Sequence, residues 1–211
     1  MANSPQQANA TGIGRSPLAD PGAWAVMAFA TTSFMLGWYN AGEIGRASLP
    51  IVFPVAFFFG GMIQVLVGLL EVGRGNAFGA VVFGTYGPFW VIYAAINVWF
   101  APMVHPAAAV SAGVALFLAM FAVLSFFFFL ASLRTDAVLV VIFALIWIAL
   151  GLLAWGISGG HPNLVKAGGW VTVAFALLAW YHAAADIINF TFRRTLLPAG
   201  KLSGSMTLDE L

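Results

Sequence analysis

The chain has 211 residues, of which 62% are hydrophobic and only 7% are charged. A soluble globular domain carries roughly 25% charged residues, and a nucleic-acid-binding one needs a basic face, whereas the net charge here is +1. The absence of cysteine excludes disulfides, thiolate metal sites and thiol nucleophiles. The composition therefore indicates a protein that crosses the lipid bilayer several times and binds no nucleic acid.

Six apolar stretches have the roughly 20-residue length of a membrane-spanning helix. They cover about 23–41, 50–71, 76–100, 107–131, 137–157 and 165–190, with short breaks between them. They are too long for the strands of a membrane barrel. We therefore predict an all-α membrane protein with six transmembrane helices in one antiparallel bundle over residues 20–198. Residues 1–19 and 199–211 are predicted to be flexible tails.

The basic residues divide unequally between the two ends of the predicted bundle. Arg46 and Lys166 would lie at one end. The other six would lie at the opposite end: Arg15, Arg74, Arg134, Arg193, Arg194 and Lys201. An excess of Lys and Arg marks the cytoplasmic side. We therefore predict a multi-pass protein of the cell (inner) membrane with both termini in the cytoplasm.

Small and polar residues recur at helical spacing within the spans. The stripe of the second helix contains Phe57, Gly61, Gln64, Gly68 and Glu71, that of the third contains Asn76, Gly79, Phe83, Tyr86 and Trp90, and that of the first contains Phe29, Thr32 or Ser33, Leu36 and Asn40. A polar side chain at membrane depth needs a partner or a water-lined path. The residues alone leave open whether Gln64 bridges two helices or contacts a solute. Glu71 can pair with Arg74 three residues later.

One carboxylate of the last predicted helix, Asp186, follows His182 by a single turn. Such a pair can accept a proton in coupled transport, or it can be a hydrated helix end at the membrane surface, and both interpretations stay open. The remaining histidines, His105 and His161, precede prolines in loops. Since nothing has the spacing of metal ligands or of a catalytic triad, we predict no enzyme activity, metal or cofactor.

A set of motifs gives a more specific interpretation. Gly60-Gly61-Met62-Ile63-Gln64 precedes Gly68-Leu69-Leu70-Glu71, Gly75-Asn76-Ala77-Phe78-Gly79 and Thr85-Tyr86-Gly87-Pro88-Phe89-Trp90; Leu133-Arg134-Thr135, Gly169-Trp170, Trp180-Tyr181 and Leu197-Pro198 follow. Together they resemble the acetate uptake (succinate–acetate permease) family over about residues 20–200. The family signature Asn-Pro-Ala-Pro-Leu-Gly-Leu is replaced here by Asp20-Pro21-Gly22-Ala23-Trp24-Ala25-Val26.

The resemblance implies a homo-oligomer, a hexamer, with a separate pore in each subunit for acetate and related small carboxylates, succinate included. The apolar narrow point of the family matches Phe29, Tyr86 and either Leu145 or Ile146. Its substrate-contacting glutamine matches Gln64. The other predicted pore residues are Asn40, Glu71 and Asn76, which match family positions, together with Thr32 and Thr85.

Two other functions remain open on the sequence. A channel for a neutral solute such as urea or ammonia would suit spans whose interiors contain no lysine or arginine, since Lys166 lies at the very start of the sixth span. A structural membrane subunit without transport activity would use its glycines for helix contacts only.

Overall fold

The computed structural model describes residues 19–200 and residue 202. Within this part of the chain six helices follow one another and no strand occurs, which confirms the predicted fold class. Each helix begins and ends within four residues of its predicted bounds. The helices are α1 Gly22–Ala41, α2 Arg46–Arg74, α3 Ala77–Met103, α4 Ala107–Ser132, α5 Ala137–Ser158 and α6 Pro162–Phe192. Most of the two predicted tails lies outside the described residues.

Five helices, α2 to α6, are long and apolar enough to cross a membrane, whereas α1 does not reach that apolar content. Its 20 residues have sufficient length, but they include polar side chains such as Thr31, Thr32 and Asn40. Half of its residues are buried, mainly against α6 and α2. Because α1 is covered by other helices, its stability depends less on apolar contact with lipid.

Two segments of the spans are π-helical, namely Val55–Ile63 in α2 and Ile96–Phe100 in α3. At the end of the first, the backbone N–H of Gln64 donates to the carbonyl of Gly61. The side-chain Nε2 of Gln64 donates instead to the carbonyl of Gly60, at 2.6 Å. π-Helical turns frequently accompany functional sites, and this one changes the direction of the side chains that follow it.

The predicted stripe of the second helix is divided between a contact with α3 and an internal cavity. Gly61 packs against Val91 of α3, and Gly68 packs against the backbone of Gly84, which also belongs to α3. Gln64 and Glu71 line an internal cavity instead. The glycines therefore bring α2 and α3 together, and the polar residues of the stripe face the interior.

The segment after α6 turns back over the beginning of α5. Asn189 holds it, because Nδ2 donates to the carbonyl of Leu197 at 2.8 Å and Oδ1 accepts from the Leu197 N–H at 3.0 Å. The N–H of Ala137 donates to the carbonyl of Gly200 at 2.8 Å. The first residues of the predicted C-terminal tail thus satisfy the backbone at the start of α5.

Candidate transport site

Two cavities lie inside the bundle, towards opposite ends. One, of about 220 Å³, extends to the end that carries Arg46. The other, of about 170 Å³, extends to the end that carries Asp20. We refer to these as the Arg46 end and the Asp20 end. Both cavities greatly exceed the roughly 10–15 Å³ that one water molecule needs.

Alternate ends of successive helices reach each cavity. The cavity at the Arg46 end is lined, among others, by Asn40 of α1, Arg46 of α2, Asn97 of α3, Val114 of α4, Ile157 of α5 and Val165 of α6. All six helices therefore contribute to its wall. A wider recess of about 700 Å³ continues this cavity outward and adds Lys166 to its lining.

Three of the described side chains line both cavities, and we call them the constriction: Phe29 of α1, Tyr86 of α3 and Ile146 of α5. All three are buried. The ring centroids of Phe29 and Tyr86 are 5.3 Å apart, and Phe29 also stacks on Phe175 of α6 at 5.6 Å. The two cavities are thus separated by a layer of apolar side chains contributed by several helices.

The hydroxyl of Tyr86 is turned away from this layer. It is hydrogen-bonded to Oγ of Ser125 on α4 at 2.8 Å, and that oxygen in turn donates to the carbonyl of Phe121 at 2.7 Å. Tyr86 therefore contributes its aromatic ring to the constriction, while its polar group is bonded within the helix packing.

The structure distinguishes between the two residues that the sequence left open on the fifth helix. Ile146 belongs to the constriction, whereas Leu145 is only partly buried and lines neither cavity. Successive residues of an α-helix point in directions about 100° apart. For this reason only one of the two can face the pathway.

Gln64 lies on the Asp20 side of the constriction, where it lines the cavity and is 1% exposed. Two predicted pore residues lie elsewhere, which corrects the prediction. Thr32 packs against Gly60 at the contact between α1 and α2 and donates to the carbonyl of Ala28 at 2.9 Å. Thr85 is partly buried and lines neither cavity.

Polar residues that the sequence singled out surround the cavity at the Asp20 end. Glu71 lines it without exposure, and its Oε2 lies 3.5 Å from Nε of Arg74. Arg74 also binds Asp20 at 3.1 Å. Asn76 lines the same cavity and caps α3 by accepting from the Gly79 N–H at 3.1 Å. The predicted pairing of Glu71 with Arg74 is present.

Asp20 has a local role as well. Its Oδ1 accepts a hydrogen bond from the N–H of Gly22 at 2.8 Å, next to the beginning of α1. The divergent N-terminal signature thus places a carboxylate where it orders the first turn of α1 and binds a cation of α2.

His182 and Asp186 also line the cavity at the Asp20 end, and a third group joins them. Nε2 of His182 lies 3.1 Å from Oδ2 of Asp136, and Nδ1 lies 3.3 Å from Oδ2 of Asp186. Sequence reasoning missed Asp136 because it precedes His182 by 46 residues. Its only signal was its position just before an apolar run, which is typical of a helix N-cap.

Asn97 is another cavity residue that the sequence did not identify. It lines the cavity at the Arg46 end, and its Nδ2 donates to the carbonyl of Tyr93 at 2.8 Å. Each cavity therefore contains a side-chain amide from a helix with a π-helical segment. No cluster of three His, Asp or Glu side chains that could hold a metal occurs within the described residues.

Comparison with known proteins agrees with this architecture. Residues 4–203 match the model of the GPR1/FUN34/yaaH family. The chain is 30% identical over 190 residues to the succinate-acetate/proton symporter SatP of Escherichia coli (strain K12), an alignment that covers 90% of this chain and 99% of that protein. It is also similar to the solved structure of the bacterial acetate channel SatP, with a TM-score of 0.80 and 31% identity over 87% of this chain and 99% of the other.

One of the relatives is named for the transport of a different solute. The ammonia transport outward protein 2 of Saccharomyces cerevisiae is 29% identical over 173 residues, which is 80% of this chain and 61% of that protein. The family match nevertheless spans all six helices, and the solved structure shares their arrangement. The chain belongs to the GPR1/FUN34/yaaH family.

Proposed function

We propose that this protein transports acetate and related small monocarboxylates, with succinate as a larger substrate, through a pathway inside each subunit. The observation that carries the proposal is the pair of cavities that meet at Phe29, Tyr86 and Ile146. Small acids combine a hydrocarbon body with one polar group. An apolar layer next to the amide of Gln64 offers a contact for each part. The names of the SatP relatives support this substrate class.

The apolar constriction determines which form of the acid crosses easily. Removing an ionised carboxylate from water costs several kcal/mol. A carboxyl group with an ordinary pKa near 4.3 is uncharged in roughly one molecule in 500 at pH 7, a free-energy cost of about 4 kcal/mol. Because these two free-energy costs are similar, the acid can cross the constriction in its uncharged form as readily as in its ionised form. Gln64 can both donate to and accept from its carboxyl group.

We further propose the orientation and assembly that the sequence indicated. Four described basic residues lie at or just after helix ends on the Asp20 side, namely Arg74, Arg134, Arg193 and Arg194, against Arg46 and Lys166 on the other. This excess favours a cytoplasmic Asp20 end in the inner membrane. The resemblance supports a homo-hexamer, and the transport proteins among the relatives favour a protein without enzymatic activity.

Uptake of labelled acetate into liposomes that contain the purified protein tests the transport function. We expect uptake above that of protein-free liposomes and a loss of about tenfold or more in Gln64→Ala, since a buried amide next to the pathway is removed. Thr191→Ala is the matched control because Thr191 is exposed and bonds only to its own helix in the described structure. Uptake equal to that of protein-free liposomes would contradict the proposal.

A neutral solute is the second candidate, favoured by the yeast relative named for ammonia transport. Among the described residues, Arg46 is the only cation lining either cavity, and it lies at the mouth. If acetate and ammonia share the pathway, excess acetate should inhibit ammonia flux, measured by an internal pH dye. Ammonia flux above that of protein-free liposomes, together with no acetate uptake, would favour the neutral solute alone.

A further inference from the structure

His182 lies between two carboxylates at the wall of the cavity at the Asp20 end. Its two ring nitrogens each face one oxygen, Oδ2 of Asp136 at 3.1 Å and Oδ2 of Asp186 at 3.3 Å. The imidazole is 9% exposed, whereas the Asp186 side chain is 49% exposed. Nδ1 of His182 has almost no exposed surface, so the histidine meets solvent and the cavity through the carboxylate of Asp186.

The protonation state of His182 decides whether its contacts with Asp136 and Asp186 are both favourable. An ionised carboxylate can only accept hydrogen bonds, and a neutral imidazole has a single N–H. With neutral His182, one of the two contacts joins two acceptors and is repulsive. An imidazolium has an N–H on each nitrogen, and its positive charge is attracted by both carboxylates. The cluster therefore has a favourable place for one additional proton.

Asp136 fixes the side of the His182 ring whose proton, on Nε2, does not exchange. Its Oδ1 accepts from the N–H of Leu139 at 2.9 Å, as an N-cap of α5. A helix N-terminus favours a negative charge. Asp136 therefore orients Nε2 of His182, and the exchangeable proton lies on Nδ1, between His182 and Asp186.

The other charged groups near this cluster are already engaged with each other. Asp20, before α1, and Glu71 of α2 line the same cavity, and both lie within ion-pair distance of Arg74. Asp20 and Asp136 each interact electrostatically with Asp186. The carboxylates that face His182 thus make a positive charge on the imidazole favourable.

We propose that His182, together with Asp186, is the proton-exchange site for the transported acid. This inference rests on the proposed function. An acid that crosses the constriction uncharged meets the exposed carboxylate of Asp186 in the next cavity, because Nδ1 of His182 itself has almost no exposed surface. The O–H bond of the acid breaks as Asp186 takes the proton, and Asp186 passes the proton to Nδ1, so that the acid becomes a carboxylate and His182 an imidazolium. His182 then releases the proton to water at the Asp20 end, and one proton has crossed with each carboxylate.

The pH dependence of acetate uptake tests this site. Initial rates in liposomes are measured between about pH 5.5 and about pH 8, the range in which imidazoles titrate, with protein-free liposomes subtracted for acid that permeates the lipid. We expect a transition in the wild-type profile that His182→Gln abolishes, with a rate loss of about tenfold at the alkaline end, where the neutral imidazole can accept the proton. His161→Gln is the control, because His161 is exposed at the other end of the protein, and it should retain the wild-type profile.

Asp136→Asn separates proton exchange from a purely structural role. Asparagine still caps α5 and still faces Nε2, but it removes a charge that favours the imidazolium. The midpoint of the transport profile should move to lower pH by about one unit. This variant also decides the question if His182→Gln does not fold. Retained uptake with an unchanged pH profile in either variant overturns the proton site alone, whereas no uptake by the wild-type protein overturns the transport function as well.

Discussion

Phe29 lies where the two cavities meet, at the point that a molecule crossing between them would have to pass. Its ring contacts Tyr86 of α3 on one side and Phe175 of α6 on the other. Since Phe29 is held by rings from two other helices, removing it widens the passage without removing a polar contact. The Tyr86 hydroxyl is bonded to Ser125, so the amide of Gln64 is one of the polar groups that the cavity beside the constriction offers to a carboxyl.

Phe29→Ala should therefore change size selection. We expect the uptake rate of a bulkier acid such as benzoate, relative to acetate, to rise by about tenfold or more, because a few methylenes of space in an apolar site discriminate by that amount. Paired uptake measurements of the two labelled acids in the same liposome preparation give the ratio.

Tyr86→Phe is the matched control for this ratio. It keeps the ring and removes only the hydroxyl bonded to Ser125, so the ratio should stay at the wild-type value while stability falls by about 1 kcal/mol. An equal change of the ratio in both variants would contradict a size barrier at Phe29.

At the scale of single residues, the family resemblance predicted Gln64, Phe29 and Tyr86 as pore residues, and all three line the internal cavities. They could be predicted because they lie within or beside continuous motifs. Asp136 could not, because its partner His182 is distant in the chain and only the packing of α5 on α6 joins them.

Among the helix contacts, the one between α1 and α6 depends on glycines, whose lack of a side chain lets the two backbones approach closely. Gly169 of α6 lies against the backbone of Asn40 and Ala41, and Gly37 of α1 approaches the backbone of Gly169 and Val173. Because α1 is less apolar than the other spans, close packing on α6 keeps it in place. Asn40 in turn lines the cavity at the Arg46 end.

Gly169→Ala should consequently destabilise the protein. A Cβ on Gly169 would overlap the backbone of Ala41, and relieving such overpacking costs about 1–3 kcal/mol. Gly151→Ala is the control, since a Cβ on this helical glycine meets nothing within 4 Å. Thermal unfolding in detergent, followed on a sizing column, should show a lower midpoint for Gly169→Ala only. Equal midpoints for the two variants would contradict the role of this contact.

Helix bounds and helix interiors differed in how well the sequence predicted them. Breaks rich in glycine, proline and charge marked the bounds within a few residues. The π-helical segment Val55–Ile63 has no such mark, because its residues are as apolar as those of an ordinary span. For this reason the sequence placed Gly61 and Gln64 on one stripe, whereas the structure directs Gly61 to α3 and Gln64 to the cavity.

For the whole molecule, charge at the two ends complements the internal pathway. The recess at the Arg46 end contains two cations, Arg46 and Lys166. The cavity at the Asp20 end contains the carboxylates of Asp20, Glu71 and Asp186. The two cations thus attract a carboxylate to the recess at the Arg46 end. At the Asp20 end, the three carboxylates favour binding of the proton that the proposed exchange at His182 requires.

The orientation that follows can be measured with single cysteines, because the natural chain has none. Gly45 is exposed and has an extended backbone that any residue adopts, and a Cβ at this position would meet no described atom within 4 Å. Thr195 is exposed after α6, at the Asp20 end. A membrane-impermeant maleimide should label Gly45→Cys in intact cells and Thr195→Cys only after permeabilisation, because an excess of basic residues favours a cytoplasmic Asp20 end. Labelling of Thr195→Cys alone in intact cells would reverse the orientation and, with it, the direction in which the carboxylate meets the cationic recess.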